Sequence, residues 1–302
     1  MAEIAAKSPR LAPEFQGHIA MLAFSALIAG SFSLGGLVAN EIAPAALNAM
    51  RFLLAGVFLS VVVASQGAFT RKNFRAPWRF VILGGLFAFY FVTMFEALKT
   101  ATPVSTAAVF TLTPVVSAGF AWLLLRQRLT RRMSLALLVG AIGAIWVIFR
   151  ADLGALLRFQ IGRGEMIYFW GMIAHALYTP LSRYLARGEN PFAVTCGNFA
   201  AGFLILLAYG WRDILATDWF ALPGIVWITL GYISFLAGSV TLTLLQFAVV
   251  RLPSAKVMAY TYLTPSWVIL CEIALGHGAP TGYILTGVAL TFVSLWMLLK
   301  SE

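Results

Sequence analysis

Ten apolar runs, each near the roughly 20 residues a helix needs to cross a bilayer's hydrocarbon core, follow one another almost without interruption along this chain. Their approximate spans are 18–39, 44–66, 78–98, 103–125, 133–149, 164–184, 191–210, 219–249, 254–275 and 281–299. The eighth is long enough to tilt or to project from the membrane. A water-soluble fold could not hide them: 61% of the 302 residues are hydrophobic and 11% are charged, where a soluble chain holds about 25% charged residues. The fold class is therefore an all-α integral membrane protein with ten transmembrane helices, read as one transmembrane domain over residues 1–302. Pro44, Pro103, Pro191, Pro253 and Pro280 fall at or just before helix starts, where a missing N–H costs nothing, so the connections are short. No segment shows the alternation of a barrel strand or the composition of a soluble domain. The first 14 residues, with Lys7 and Arg10, lead into an apolar run too long for a signal-peptide core, so the first helix is expected to be uncleaved. Cys196 and Cys271 show neither disulfide nor metal spacing, and neither a metal nor a cofactor is expected.

A net charge of +10 would suit a nucleic-acid partner, but the placement of the charges argues otherwise. With the N-terminus in the cytoplasm, the inner segments hold 15 of the 21 Lys and Arg residues, including Arg71, Lys72, Arg75 and Arg79 in one loop and Arg126, Arg128, Arg131 and Arg132 in another. The outer segments hold five, Lys99, Arg150, Arg158, Arg163 and Arg212, and Arg51 lies inside the second helix. This is the positive-inside pattern, with both termini cytoplasmic. The bilayer, not nucleic acid, is the implied partner.

The chain also repeats itself. Leu112-Thr113-Pro114 returns as Leu263-Thr264-Pro265, each near the middle of a helix begun by a proline, and at nearly the same offset Gln127 matches His277 and Trp146 matches Trp296. The loop charges reverse between the copies: the connection between the first and second helices has no Lys or Arg and its counterpart has two, while the connection between the fourth and fifth has four and its counterpart none. Repeat one is placed at about 15–150 and repeat two at about 160–300. Five helices per copy, an odd number, invert the second copy in the membrane. Such inversion is the architecture of secondary transporters, whose site lies near the midplane between the halves.

Met50-Arg51-Phe52-Leu53-Leu54-Ala55, Glu96-Ala97-Leu98 through Pro103, Thr113-Pro114 and Arg128-Leu129-Thr130 together resemble the EamA-type pattern of the drug/metabolite transporter superfamily, over nearly the whole chain. Within it, His175-Ala176-Leu177-Tyr178 and Arg183-Tyr184-Leu185-Ala186-Arg187-Gly188 look most like the bacterial exporters of aromatic and other neutral amino acids. The resemblance implies a ten-helix basket in the bacterial inner membrane, with a cavity lined mainly by helices 1, 3, 4, 6, 8 and 9. It also implies outward transport. The acidic residue that this family carries near the ends of its fourth and ninth helices is replaced by Gln127 and His277.

Counting 1.5 Å per residue along each helix places candidate substrate-binding residues at mid-membrane: Ser31 beside Gly30, Tyr90, Thr113 with Pro114, His175 with Tyr178, Ser239, and Thr264 with Pro265. Trp170, nearer the outer surface, is added as a shaper of the cavity mouth or, alternatively, a lipid anchor. Each membrane proline frees the carbonyl four residues earlier, of Phe110 and Thr261, either for a substrate ammonium or for a neighbouring Thr hydroxyl. An ionisable group in mid-membrane is costly unless it faces a polar interior, so His175 either hydrogen-bonds a substrate carboxylate or is a neutral histidine bonded to a neighbouring helix. Tyr178 shares its face. Glu96 and Lys99 are expected to pair, Arg51, near enough to the outer surface to snorkel, to make a packing or headgroup contact rather than to bind substrate, and Glu272 either to guard an outer gate or to sit idle. Gly84-Gly85, Ser31 with Gly35, and Gly140 with Gly143 read as sites of close helix packing.

There is no phosphate loop, so direct ATP drive is not expected. The leading reading is a secondary exporter of neutral amino acids with aromatic or other apolar side chains, working by alternating access. The rival within transport is efflux of other small metabolites or drugs. Hydrophobic cations would call for a central acidic residue and phosphates for converging basic ones. An intramembrane enzyme using His175 with Cys196 or a serine is the remote alternative, since no paired catalytic motif appears. A channel lacks a filter-like sequence.

Overall fold

The computed structural model describes residues 13–71, 75–149, 152–158, 161–279 and 282–300. Lys7, Arg10, Lys72, Arg150 and Pro280 lie outside them. The described residues are helical throughout, without strands. The long helices are α1 (Pro13–Val38), α2 (Pro44–Ser65), α3 (Trp78–Ala97), α4 (Pro103–Phe110 continued by Thr113–Leu125) and α5 (Arg131–Ile148). After a short turn at Leu153–Leu157 come α6 (Arg163–Leu185), α7 (Pro191–Ala216), α8 (Gly224–Gly231, Tyr232–Val240 and Thr241–Val249), α9 (Ser254–Ala259, Tyr260–Leu263 and Thr264–Ala274) and α10 (Gly282–Leu299). Eight of these are long and apolar enough to cross a membrane. The other two are α6, which carries Arg163, Glu165, His175 and Arg183, and α10, whose continuous apolar stretch is the shorter Ile284–Leu299.

The helix starts obey elementary capping. Pro44, Pro103 and Pro191 occupy first turns, and the side chains of Thr102, Thr130 and Asn190 accept backbone N–H groups of Ser105, Met133 and Phe192. Three boundaries differ by about five residues or more from expectation: α1 already begins at Pro13 rather than near 18, and the other two are in α7 and α8. Helix α7 runs to Ala216, past a non-helical kink at Gly210, because the sequence beyond the glycine, Trp211 to Ala216, holds no proline to stop the helix. Helix α8 begins only at Gly224 because Pro223 caps it.

Side chains are sorted as lipid solvation demands. Val61, Leu123, Leu204 and Ile228 are exposed on the outside, while Ser31, Thr106, His175 and Asn198 are buried. Packing follows a regular pattern: α3 lies on α6 and α1 on α8; α4 on α6 and α1 on α9; α3 on α7 and α2 on α8. Three further contacts pair α2 with α7, α4 with α9 and α5 with α10. Glycines set the closest approaches. A Cβ at Gly143 would lie 2.6 Å from the carbonyl oxygen of Gly287, and one at Gly287 would lie 2.7 Å from that of Gly143, joining α5 to α10. A Cβ at Gly84 would run into the carbonyl oxygen of Asn198 and lie 2.8 Å from the amide nitrogen of Gly202, joining α3 to α7. Gly84→Ala is therefore expected to lower the thermal unfolding midpoint in detergent, at a cost of about 1–3 kcal/mol. Gly119→Ala, which meets nothing within 4 Å, should not; equal midpoints for the two variants would contradict this packing.

Candidate functional site

The interior of the bundle holds an aromatic cluster around His175. Its ring centroid lies 4.6 Å from that of Tyr90, 4.9 Å from Phe110 and 5.6 Å from Phe87. Phe87 also meets Tyr178 at 4.1 Å, and Phe32, next to Ser31, meets Phe110 at 5.8 Å and Tyr168 at 6.0 Å. The Tyr168 hydroxyl donates to the Tyr90 hydroxyl at 3.2 Å. All of these side chains are buried, and both ring nitrogens of His175 lack a protein partner. Helices α1, α3, α4 and α6 thus converge on one histidine that no neighbouring side chain satisfies.

A hydrogen-bonded network adjoins the cluster at Tyr178. Its hydroxyl accepts from Asn198 Nδ2 of α7 at 2.9 Å and from Gln246 Nε2 of α8, and Gln246 Oε1 accepts from Ser182 at 2.9 Å. A cleft of about 290 Å³ reaches Ser182 and Gln246 from the basic end of the bundle, past Arg79, Glu189 and Arg251. There Arg79 pairs with Glu189 and donates to the Leu185 carbonyl at 2.6 Å. Burial would raise the Glu189 carboxyl, but hydrogen bonds from Arg79 and the backbone N–H of Arg187 hold it below the usual glutamate value. At the opposite end, a cleft of about 440 Å³ is lined by Thr102, Ser105, Glu272 and His277. Here Glu272 and His277 meet at 2.7 Å, and Ser105 donates to Glu165 at 2.7 Å.

The break in α4 lies in this cluster, directly after Phe110, and α9 and α8 are interrupted as well. Helix α4 breaks at Thr111–Leu112, directly before Thr113 and Pro114, and α9 tightens into a 3₁₀ turn at Tyr260–Leu263, directly before Thr264 and Pro265. The structure decides between the two readings of the carbonyls these prolines free. The Phe110 carbonyl takes the Thr113 hydroxyl and the Thr261 carbonyl takes the backbone N–H of Thr264, so neither waits for a substrate ammonium. Helix α8 widens into a π-helix over Tyr232–Val240, inside which the Ser239 hydroxyl donates to the Ser234 carbonyl at 2.9 Å.

The structure therefore brings Tyr90, His175 and Tyr178 into one cluster. Ser31 and Thr264, on α1 and α9, are buried with hydroxyls that lack a protein partner, and Pro114 and Pro265 are buried in α4 and α9. Trp170 is set apart: it is 58% exposed. It sits five residues from His175, about 140° around a helix of 3.6 residues per turn, so it faces outward rather than into a cavity mouth. Of the two contacts expected of Arg51, the structure shows the packing one. The side chain does not snorkel: it is 0% exposed, donates to the Ala237 carbonyl of the π-helix at 2.9 Å and stacks 3.5 Å above the centre of the Phe91 ring. Lys99 and Glu96 pair at 2.7 Å as expected. Tyr168, Asn198, Ser182 and Gln246 went unnoticed in the sequence. Tyr168 carried a readable signal, two helical turns before His175 and thus on its face.

Comparison with known proteins fits this geometry. The profile of the EamA-like transporter family matches the chain twice, over residues 15–149 and 162–300. The chain belongs to the EamA-like transporter family. It is thus a multi-pass membrane transporter of the drug/metabolite transporter superfamily. The transporter is 23% identical over 262 residues to a Bacillus subtilis (strain 168) protein named "Uncharacterized transporter YyaM", covering 86% of each chain. It shares its fold with a solved structure described as "Crystal structure of protein", at a TM-score of 0.72 and 20% identity over 95% of this chain and 96% of that one.

Tyr178→Phe would strand the buried donors of Asn198 and Gln246. The transporter is expected to lose about 1–3 kcal/mol of stability, read as a lower melting midpoint in detergent. An unchanged midpoint would show that the network does not hold α6, α7 and α8 together.

Proposed function

We propose that this transporter is a secondary exporter of neutral amino acids with aromatic or other apolar side chains, working by alternating access across the bacterial inner membrane. The reading includes ten membrane-spanning helices arranged as two inverted repeats, at about 15–150 and 160–300, with both termini cytoplasmic. Two observations support the inversion. The family profile matches two consecutive segments of similar length, and the packing pattern maps onto itself when each helix is exchanged for the one five places along. The pair α3–α6 then becomes α8–α1, α4–α6 becomes α9–α1, α3–α7 becomes α8–α2, and α2–α7, α4–α9 and α5–α10 return to themselves.

The observation that carries the substrate class is the His175 cluster: an imidazole with both nitrogens unpartnered, enclosed by Tyr90, Phe110 and Phe87. Aromatic walls fit an apolar side chain, and an unsatisfied imidazole fits a carboxylate's hydrogen-bonding needs. Ser31, Thr113, Thr264 and Ser239 lie on the helices around it, with Pro114 and Pro265 setting the bends. Outward direction follows the resemblance of the α6 segment to the bacterial amino acid exporters, and the positive-inside bias supports the orientation.

The test is flux of radiolabelled phenylalanine, leucine and threonine in proteoliposomes. Saturable movement of at least one is expected, and His175→Ala should weaken its apparent affinity roughly ten- to a hundredfold, the loss of a hydrogen bond to a charged group. No flux of any amino acid by folded protein would overturn the substrate class. Unchanged flux and affinity in His175→Ala would reduce His175 to packing.

A further inference from the structure

Among the described residues, one membrane-buried cation has no acid beside it, and packing does not explain it. Arg51 is fully buried, and of its three nitrogens only Nη2 has a protein acceptor, the Ala237 carbonyl at 2.9 Å; Nε and Nη1 have none. Among the described residues the ion pairs belong to Arg79, Lys99 and His277. Arg79 shows what a satisfied buried arginine looks like in this same chain. Its Nε meets the Ala76 carbonyl at 3.4 Å, its Nη1 the Leu185 carbonyl at 2.6 Å, and its Nη2 the Glu189 carboxylate. A guanidinium stays charged in a protein, and a buried charge lacking a counter-charge is unfavourable unless something supplies one.

Helix geometry alone does not require the charge. Arg51 lies seven residues after Pro44 in α2, and Asn198 lies seven residues after Pro191 in α7, so the two occupy corresponding places in helices that pack on each other. In α7 the position is filled by a neutral amide whose Nδ2 donates to Tyr178 at 2.9 Å. The positive charge is confined to the α2 side, where Arg51 lies over Phe91. The Phe91 ring is 4.6 Å from that of Tyr90, and Tyr90 is 4.6 Å from His175. The unsatisfied guanidinium and the unsatisfied imidazole thus flank the same aromatic pair.

We propose that Arg51 is the anion-binding group of this transport site, taking the substrate's carboxylate on its free N–H groups when the halves part. This deepens the reading of the cluster as a zwitterion site and rests on it. Arg51 supplies the positive charge and His175 a neutral hydrogen bond. In the arrangement described here the guanidinium is held by the Phe91 ring face and the Ala237 carbonyl, weaker partners that a carboxylate can displace. The site then prefers acids to the matching amides and amines, because only the acid cancels the buried charge.

The test measures ligand-induced stabilisation of the purified, detergent-solubilised full-length protein by phenylalanine, phenylalaninamide and 3-phenylpropionate, for wild type, Arg51→Lys and Arg51→Gln, together with phenylalanine flux in proteoliposomes. The expected result is stabilisation of wild type by phenylalanine at least tenfold more strongly, in apparent Kd, than by its amide. Arg51→Gln should lose that preference and Arg51→Lys should keep part of it. Equal binding of phenylalanine and its amide by wild type would overturn the anion site while leaving the amino-acid reading in place, and this comparison needs no variant to fold. Stabilisation by 3-phenylpropionate that is lost in Arg51→Gln, with no amino acid bound or moved, would keep the anion site and overturn the amino-acid reading. No stabilisation of wild type by any of the three would overturn both. A preference for acids that persists undiminished in Arg51→Gln would assign Arg51 to holding the π-helix alone.

Discussion

Inside a bilayer there is no water to accept a stray peptide hydrogen bond, and each unsatisfied backbone group costs several kcal/mol. Regular helices meet this condition by themselves; interrupted ones do not. Besides the kink of α7 at Gly210, three helices are interrupted among the described residues, α4 at Thr111–Leu112, α8 over Tyr232–Val240 and α9 at Tyr260–Leu263. Their freed carbonyls are met from within: Phe110 by Thr113, Ala237 by Thr241 and Arg51, Thr261 by the N–H of Thr264. Interruptions that need such partners belong in the interior. Irregular backbone and polar side chains therefore collect in the same place, where a ligand can be bound.

The same constraint explains why the interior is polar but nearly without formal charge. Hydroxyls and amides satisfy each other at modest cost, as at Tyr178 with Asn198 and Gln246, while the imidazole of His175 is left without a protein partner. Charged pairs are kept to the ends, Arg79 with Glu189 at one and Glu272 with His277 at the other. Arg51 breaks the rule, and that exception is what makes it informative about the ligand. Between the two end clefts the His175 cluster is buried, in keeping with a site that opens by movement of the halves rather than standing open as a channel.

Much of this was legible in the sequence, and the failures have a common cause. Apolar length and proline placement located the helices to within a few residues, because lipid solvation and the missing proline N–H act on local sequence. Counting residues gave depth along a helix, and depth drew attention to Tyr90, His175 and Tyr178, which the structure brings into one cluster. Depth does not give direction around the axis. Trp170 was misplaced for that reason: it is at a plausible level but on the lipid face. Arg51 was left between a headgroup and a packing contact for the complementary reason, since it is near enough to the surface to snorkel but is turned toward α3 and α8. Asn198 and Gln246 gave no local signal at all. Their importance comes from meeting Tyr178 across sequence separations of 20 and 68 residues.

The central claim is that the His175 cluster is a transport site presented in turn to the two sides of the membrane. Ser31 is buried in α1, next in sequence to Phe32 of that cluster, and a cysteine there is close in size to the native side chain. With Cys196 and Cys271 replaced, Ser31→Cys protein in proteoliposomes can be challenged with an impermeant maleimide from either side. The account predicts labelling from both sides, slowed by phenylalanine in each case. Labelling confined to one side, or none from either, with no effect of any amino acid, would contradict it.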